Sequence, residues 1–81
     1  MPLRVLFLGP LRDQLGQELT ELPCPPSGAQ SLFWETLQEK FPAIAEQAGT
    51  LRIARGDEFL DATASLLPGD ELALIPPVSG G

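Results

Sequence analysis

Proline and glycine punctuate this sequence so often that no element in it can be long. Gly9-Pro10, Gly16, Pro23, Gly28, Pro42, Gly49, Gly56, Pro68-Gly69 and Pro76-Pro77 divide the chain into short pieces. Proline fixes φ and has no amide to donate, and glycine readily takes turn conformations. Within these limits, apolar spacing decides the element type. Leu3–Leu8 is an apolar run too short for an ordinary helix, so it reads as a buried strand. Arg4 marks its outward face, which turns Leu6 and Leu8 outward and Leu3, Val5 and Phe7 to the core. Leu11–Leu15 has room for one helical turn before Gly16, and Gln17–Leu22 reads as an exposed strand stopped by Pro23.

After the turn-rich Cys24-Pro25-Pro26-Ser27-Gly28 loop the spacing becomes helical. Phe33, Trp34, Leu37 and Phe41 recur every three or four residues, with Glu35, Gln38 and Glu39 on the other face. Ser27 or Ser31 is the expected cap, and Pro42 is expected to end or kink the helix. Ile44–Ala48 adds a further turn, Leu51–Ala54 and Phe59-Leu60 read as strands, and Arg55–Glu58 turns between them. Leu67-Pro68-Gly69-Asp70 places Pro and Gly where a type II turn wants them. The strand Glu71–Ile75 follows, and Pro76-Pro77 ends it. This order predicts an α+β fold, a mixed sheet packed on one main helix.

With 81 residues the chain has room for one core, and 43% hydrophobic residues suit a globular domain. No apolar run reaches the ~18–20 residues of a membrane span, and Met1-Pro2-Leu3-Arg4 does not begin a signal peptide, so a cytoplasmic location is expected. The net charge of −6 disfavours nucleic acid and anionic membranes as partners and favours a basic protein surface. Cys24 is the single cysteine and there is no histidine, which leaves neither a disulfide nor a zinc ligand set. No cation or histidine lies beside Cys24 in the sequence to activate it, so it reads as an unreactive thiol. Asp57, Glu58, Asp61, Asp70 and Glu71 read as solvated turn carboxylates, with no metal assigned, and Trp34 reads as core.

The end of the sequence, Pro76-Pro77-Val78-Ser79-Gly80-Gly81, carries the chemistry. The prolines stiffen and aim a flexible tail, residues 76–81, which limits the entropy lost on insertion into a partner. Val78–Gly81 spans roughly 13 Å when extended. Two residues without Cβ let a narrow channel close around the backbone and deliver the Gly81 carboxylate to a nucleotide. Attack of that carboxylate on ATP gives an acyl-adenylate, and sulfur transfer then gives a thiocarboxylate. With no His or Tyr the chain has few candidates for a general base, which suits a carboxylate that this chain does not itself activate.

Arg4–Leu8, Leu11-Arg12-Asp13, the Pro68-Gly69-Asp70-Glu71 turn and Ile75–Gly81 resemble the small-subunit family of molybdopterin synthase, ubiquitin-like sulfur carriers, from end to end. The resemblance implies a β-grasp fold and a single domain over residues 1–81. It implies adenylation of Gly81 by an ATP-dependent, E1-like adenylyltransferase, with no permanently bound cofactor in the carrier. A sulfur donor protein then supplies the thiocarboxylate. The tail enters the large synthase subunit, in a heterotetramer, and donates sulfur to cyclic pyranopterin monophosphate. The carrier has no catalytic site of its own beyond Gly81 and the adjoining Gly80. Its sequence departs from the family pattern in the proline-rich 23–28 loop and at Arg55-Gly56.

Phe59 stands among Asp57, Glu58 and Asp61, where an aromatic must turn either to the core or to a partner. Leu8 and Ile75 fall on strands expected to be central neighbours, so Leu8, Phe59 and Ile75 are candidates for one apolar docking patch beside the tail, with Pro76, Pro77, Val78 and Ser79 leading into the partner. Two further functions remain open: a sulfur carrier for thiamine, cysteine or tRNA thiolation, and a non-covalent ubiquitin-like binding module.

Overall fold

A computed structural model describes residues 1–76 of the chain. The elements run β1 (Leu3–Phe7), α1 (Pro10–Leu15), β2 (Leu19–Leu22), α2 (Gln30–Lys40), a 3₁₀ turn (Pro42–Ile44), β3 (Arg52–Arg55), β4 (Glu58–Phe59) and β5 (Glu71–Ile75). The five strands form one sheet in the order β2-β1-β5-β3-β4. The central pair β1–β5 is parallel, and the other pairings are antiparallel. A mixed sheet gripping one principal helix is the β-grasp, ubiquitin-like α+β architecture expected from the order of elements.

One face of this sheet is covered. Leu3, Val5 and Phe7 of β1 and Leu72 and Leu74 of β5 have no exposed surface, and Ile53 of β3 joins them. Phe33 and Leu37 of α2 close over this layer, with Leu11, Leu22, Phe41, Ile44 and Leu66 around it. The rings of Phe7 and Phe41 meet edge to face at a centroid distance of 5.2 Å, an arrangement that adds specific geometry to the area buried. Each such fully buried side chain contributes about 1.5–3 kcal/mol of transfer free energy. Trp34 is half-buried against this core, its ring 5.2 Å from that of Phe33.

Two local expectations need correction. The α2 N-cap is Ala29 and makes no side-chain bond. Ser27 comes too early to cap and Ser31 lies inside the helix, because Gly28 takes φ 71° and its carbonyl accepts from the Leu66 amide at 2.9 Å. A Cβ on Gly28 would stand 2.5 Å from the Leu66 carbonyl oxygen, so this loop is held against residue 66 by close backbone approach. Second, β2 is not simply exposed: Thr20 and Leu22 are buried, and the strand alternates. The further turn expected over Ile44–Ala48 is present: Pro42–Ile44 is 3₁₀ and the chain continues as turn to Thr50.

The turn before β5 has the geometry the sequence implies. Gly69 sits at φ 85° and Asp70 donates its amide to the Leu67 carbonyl at 3.0 Å, as a type II turn requires. Asp70 Oδ2 accepts from the Leu67 amide and from Arg55 Nη1, both at 2.9 Å, and the same Arg55 nitrogen reaches the Ser65 carbonyl at 3.1 Å. Arg55 therefore ties the end of β3 to the loop that launches β5.

Candidate docking face and tail exit

The uncovered sheet face is built by strand alternation. With Leu3, Val5 and Phe7 buried, Arg4, Leu6 and Leu8 must point the other way. Cross-strand register carries that face over the whole sheet: Leu6 pairs with Leu19 on one side and Ala73 on the other, Ala73 pairs with Ala54, and Ala54 with Phe59. Leu19, Leu6, Ala73, Ala54 and Phe59 thus form one apolar row across all five strands. Phe59 is 54% exposed, so it faces solvent and not the core.

A second row lies toward the C-terminal end of the central strands. Phe7 pairs with Leu74, so the residues one step on, Leu8 and Ile75, leave the parallel pair side by side. Leu8 is 42% exposed and Ile75 half-buried. Ile75 pairs with Arg52 on β3, and the Arg52 guanidinium lies 4.4 Å from the centroid of the Phe59 ring, within cation–π range. The three candidates Leu8, Phe59 and Ile75 therefore share one face, bridged by Arg52. At its other end the face turns polar, where Arg4 and Glu71 approach to 3.5 Å with both side chains more than half exposed.

Because β1 and β5 are parallel, both end at the same margin of the sheet, and the chain leaves through Pro76 beside Leu8 and Ile75. Pro76 is half-buried and is the last described residue. Pro77, Val78, Ser79, Gly80 and Gly81 lie outside the described residues.

The remaining polar candidates have local structural tasks. Asp61 Oδ1 accepts from the Thr63 hydroxyl and from its amide. These bonds hold the Asp61 carboxyl below its ordinary range, the hydroxyl contributing most. Gln30 Nε2 clamps the same turn through the carbonyls of Asp61 and Ala64, at 2.8 and 2.9 Å. Glu58 pairs with Arg55, so alternation places it on the opposite side of β4 from Phe59. The Cys24 thiol is half-buried, 3.8 Å from the Leu66 carbonyl oxygen. Among the described residues no cluster of three or more His, Cys, Asp or Glu is placed to hold a metal ion, and no helix is long and apolar enough to cross a membrane.

Sequence reasoning missed Arg52, Leu19 and Ala73 as parts of this face. Alternation within Leu51-Arg52-Ile53-Ala54 and Glu71–Ile75 holds the signal for two of them, but it names a face only once the register is known.

A small mixed sheet that grips one helix on one face and carries an apolar row across the other defines a ubiquitin-like, β-grasp domain. Residues 5–81 match the ThiS family. The chain is 38% identical over 71 residues to the molybdopterin synthase sulfur carrier subunit of Aspergillus niger, covering 82% of this chain and 78% of that one. Among solved structures it resembles SAMP1 from Haloferax volcanii, with a TM-score of 0.80, 21% identity and complete coverage of both chains. It also resembles a chain in the complex of subunits 1 and 2 of molybdopterin-converting factor from Helicobacter pylori, with a TM-score of 0.66, 27% identity and complete coverage of both chains. The chain belongs to the ThiS family.

Proposed function

We propose that this protein is the sulfur carrier subunit of a molybdopterin synthase. The observation that carries the reading is the shared margin of β1 and β5, which sets the exposed Leu8 and half-buried Ile75 beside the point where the chain leaves the sheet. A partner seated on that face receives the tail without the domain having to move. The names of the relatives support the choice of pathway, and the two-subunit Helicobacter pylori complex supports a large subunit as the partner.

In this mechanism an E1-like adenylyltransferase binds ATP, and a Gly81 carboxylate oxygen attacks the α-phosphorus, releasing pyrophosphate. Sulfide-level sulfur supplied by a donor protein then attacks the acyl carbon, displaces AMP and, with loss of its proton, leaves a thiocarboxylate on Gly81. Gly80 and Gly81 pass through a narrow channel because neither has a Cβ. Inside the large subunit the thiocarboxylate sulfur bonds to cyclic pyranopterin monophosphate, water then cleaves the thioester and returns Gly81 as its carboxylate, and repetition by a second carrier completes the dithiolene. Two copies of each subunit, a heterotetramer, suit that requirement.

Incubation with ATP, the cognate activating enzyme and a sulfur donor is expected to replace one Gly81 carboxylate oxygen by sulfur, read by intact-protein mass spectrometry. An unchanged mass refutes the carrier reading. Deletion of Gly80-Gly81 is expected to abolish transfer and leave the thermal unfolding midpoint within about 2 °C of the parent, because a terminus beyond the last strand contributes few contacts.

A further inference from the structure

We propose that Arg52 is a specificity-determining cation at the centre of the docking face, and that the large subunit seats a carboxylate against it beside the mouth of the tail channel. The inference rests on the docking reading above and adds to it a defined chemical demand on the partner.

The chain has five basic residues against eleven acidic ones. Arg4, Arg12 and Arg55 each lie within 4 Å of a carboxylate, at Glu71, Asp13 and Asp70. Lys40 reaches the Glu21 carbonyl. Arg52 meets no carboxylate among the described residues, although the protein is acidic, and stands instead between two apolar neighbours. Ile75 is its cross-strand partner and the Phe59 ring lies under its guanidinium at 4.4 Å.

That position is harmless while the face is wet. A partner that covers Ile75 and Phe59 also strips water from the guanidinium between them, and burying a charge without a counter-ion is heavily unfavourable. The contact forms only if the covering surface returns an anion. Arginine suits this position because its planar fork binds carboxylate bidentately while the ring beneath limits where it can swing. The same charge opposes a wholly apolar surface, such as a second copy of this face, and so selects among partners. In the free carrier the guanidinium also shields one side of an exposed aromatic.

The test is calorimetric titration of the full-length carrier into the cognate large subunit at low and high salt, with Arg52→Met, Arg52→Lys and Phe59→Ala. Arg52 is an exposed strand residue, and circular dichroism checks that each variant is folded. Arg52→Met keeps the length of the side chain and removes the charge, so it is expected to bind about 30-fold or more weakly, by an equal factor at both salt concentrations, since a desolvated pair is little screened. Arg52→Lys keeps the charge but loses the bidentate fork, so it is expected to recover only part of that loss. If Arg52→Met binds as tightly as the parent or tighter, the partner offers no carboxylate and the proposal falls. It falls equally if the loss vanishes at high salt, which marks a rim charge, or if Arg52→Lys is as weak as Arg52→Met, which assigns the effect to ring stacking. Phe59→Ala separates the two readings. A normal affinity there removes the docking face itself, and Arg52 with it, whereas weak Phe59→Ala with unaffected Arg52→Met removes only the carboxylate.

Discussion

The two faces of the sheet are made from alternate residues of the same strands, yet they do opposite things with apolar surface. Phe7 and Leu8 are adjacent in sequence, and so are Leu74 and Ile75. Phe7 and Leu74 are fully buried under α2, whereas Leu8 remains 42% exposed and Ile75 partly so. Whether an apolar residue here is buried is fixed by strand parity and not by its hydrophobicity. Alternation gives both faces to one short strand, so under the proposed function the carrier needs no separate binding module.

The sharpest way to break this comparison is to truncate neighbours. Phe7→Ala is expected to lower unfolding free energy by about 3–5 kcal/mol, and Leu8→Ala by less than about 1 kcal/mol, measured by denaturant titration. Comparable losses would mean that parity does not separate the faces. For binding the order reverses. Phe59→Ala and Ile75→Ala are expected to weaken association with the large subunit by ~2 kcal/mol or more at any ionic strength, with calorimetry as the measure.

A smaller effect tests the tie that holds the end of β3 to the loop that launches β5. Asp70→Ala removes the acceptor shared by Arg55 and the Leu67 amide. The pair is mostly buried on the Asp70 side and one-third exposed on the Arg55 side. A loss of about 1–2 kcal/mol in thermal or chemical unfolding is expected, after discount for solvent on the arginine. Smaller again is charge reversal at Glu58, which shares β4 with Phe59 but points to the other side. Its effect is expected only on the association rate and only at low salt, as stopped-flow mixing would show.

Among the described residues the smallest expected effect concerns acid. Asp61 has its pKa lowered by the Thr63 hydroxyl and amide. A depressed carboxylate pKa gives stability that is present above the unfolded value and lost as pH falls through the lower folded value. Thr63→Val removes the hydroxyl bond, so it is expected to flatten the acid limb of the stability profile slightly and leave neutral-pH binding unchanged.

Much of this was legible in the sequence because local signals agreed. Arg4 set the parity of β1, and Pro68-Gly69 set the start of β5. What could not be read depended on partners distant in the chain. The capping expectation at Ser27 or Ser31 failed because Gly28 is committed to Leu66, and Gln30 of the first turn is spent on the 61–64 turn. Neither link leaves a mark in local spacing. Arg55 reads only as a turn residue until Asp70 is found beside it, fifteen residues on. Arg52 was hidden for the same reason: β4 is two residues long, and nothing local reveals that Phe59 will fold back beneath the guanidinium.

The parallel pairing of β1 with β5 also has a mechanical side. β5 is flanked on both sides, by β1 and by β3, and continues directly into the tail. A partner that draws the tail inward while holding the apolar face pulls along the axis of β5, across the direction of its ladder hydrogen bonds. Those bonds are loaded together in shear and do not peel one at a time, so the domain can transmit tension through its tail without unravelling from that end.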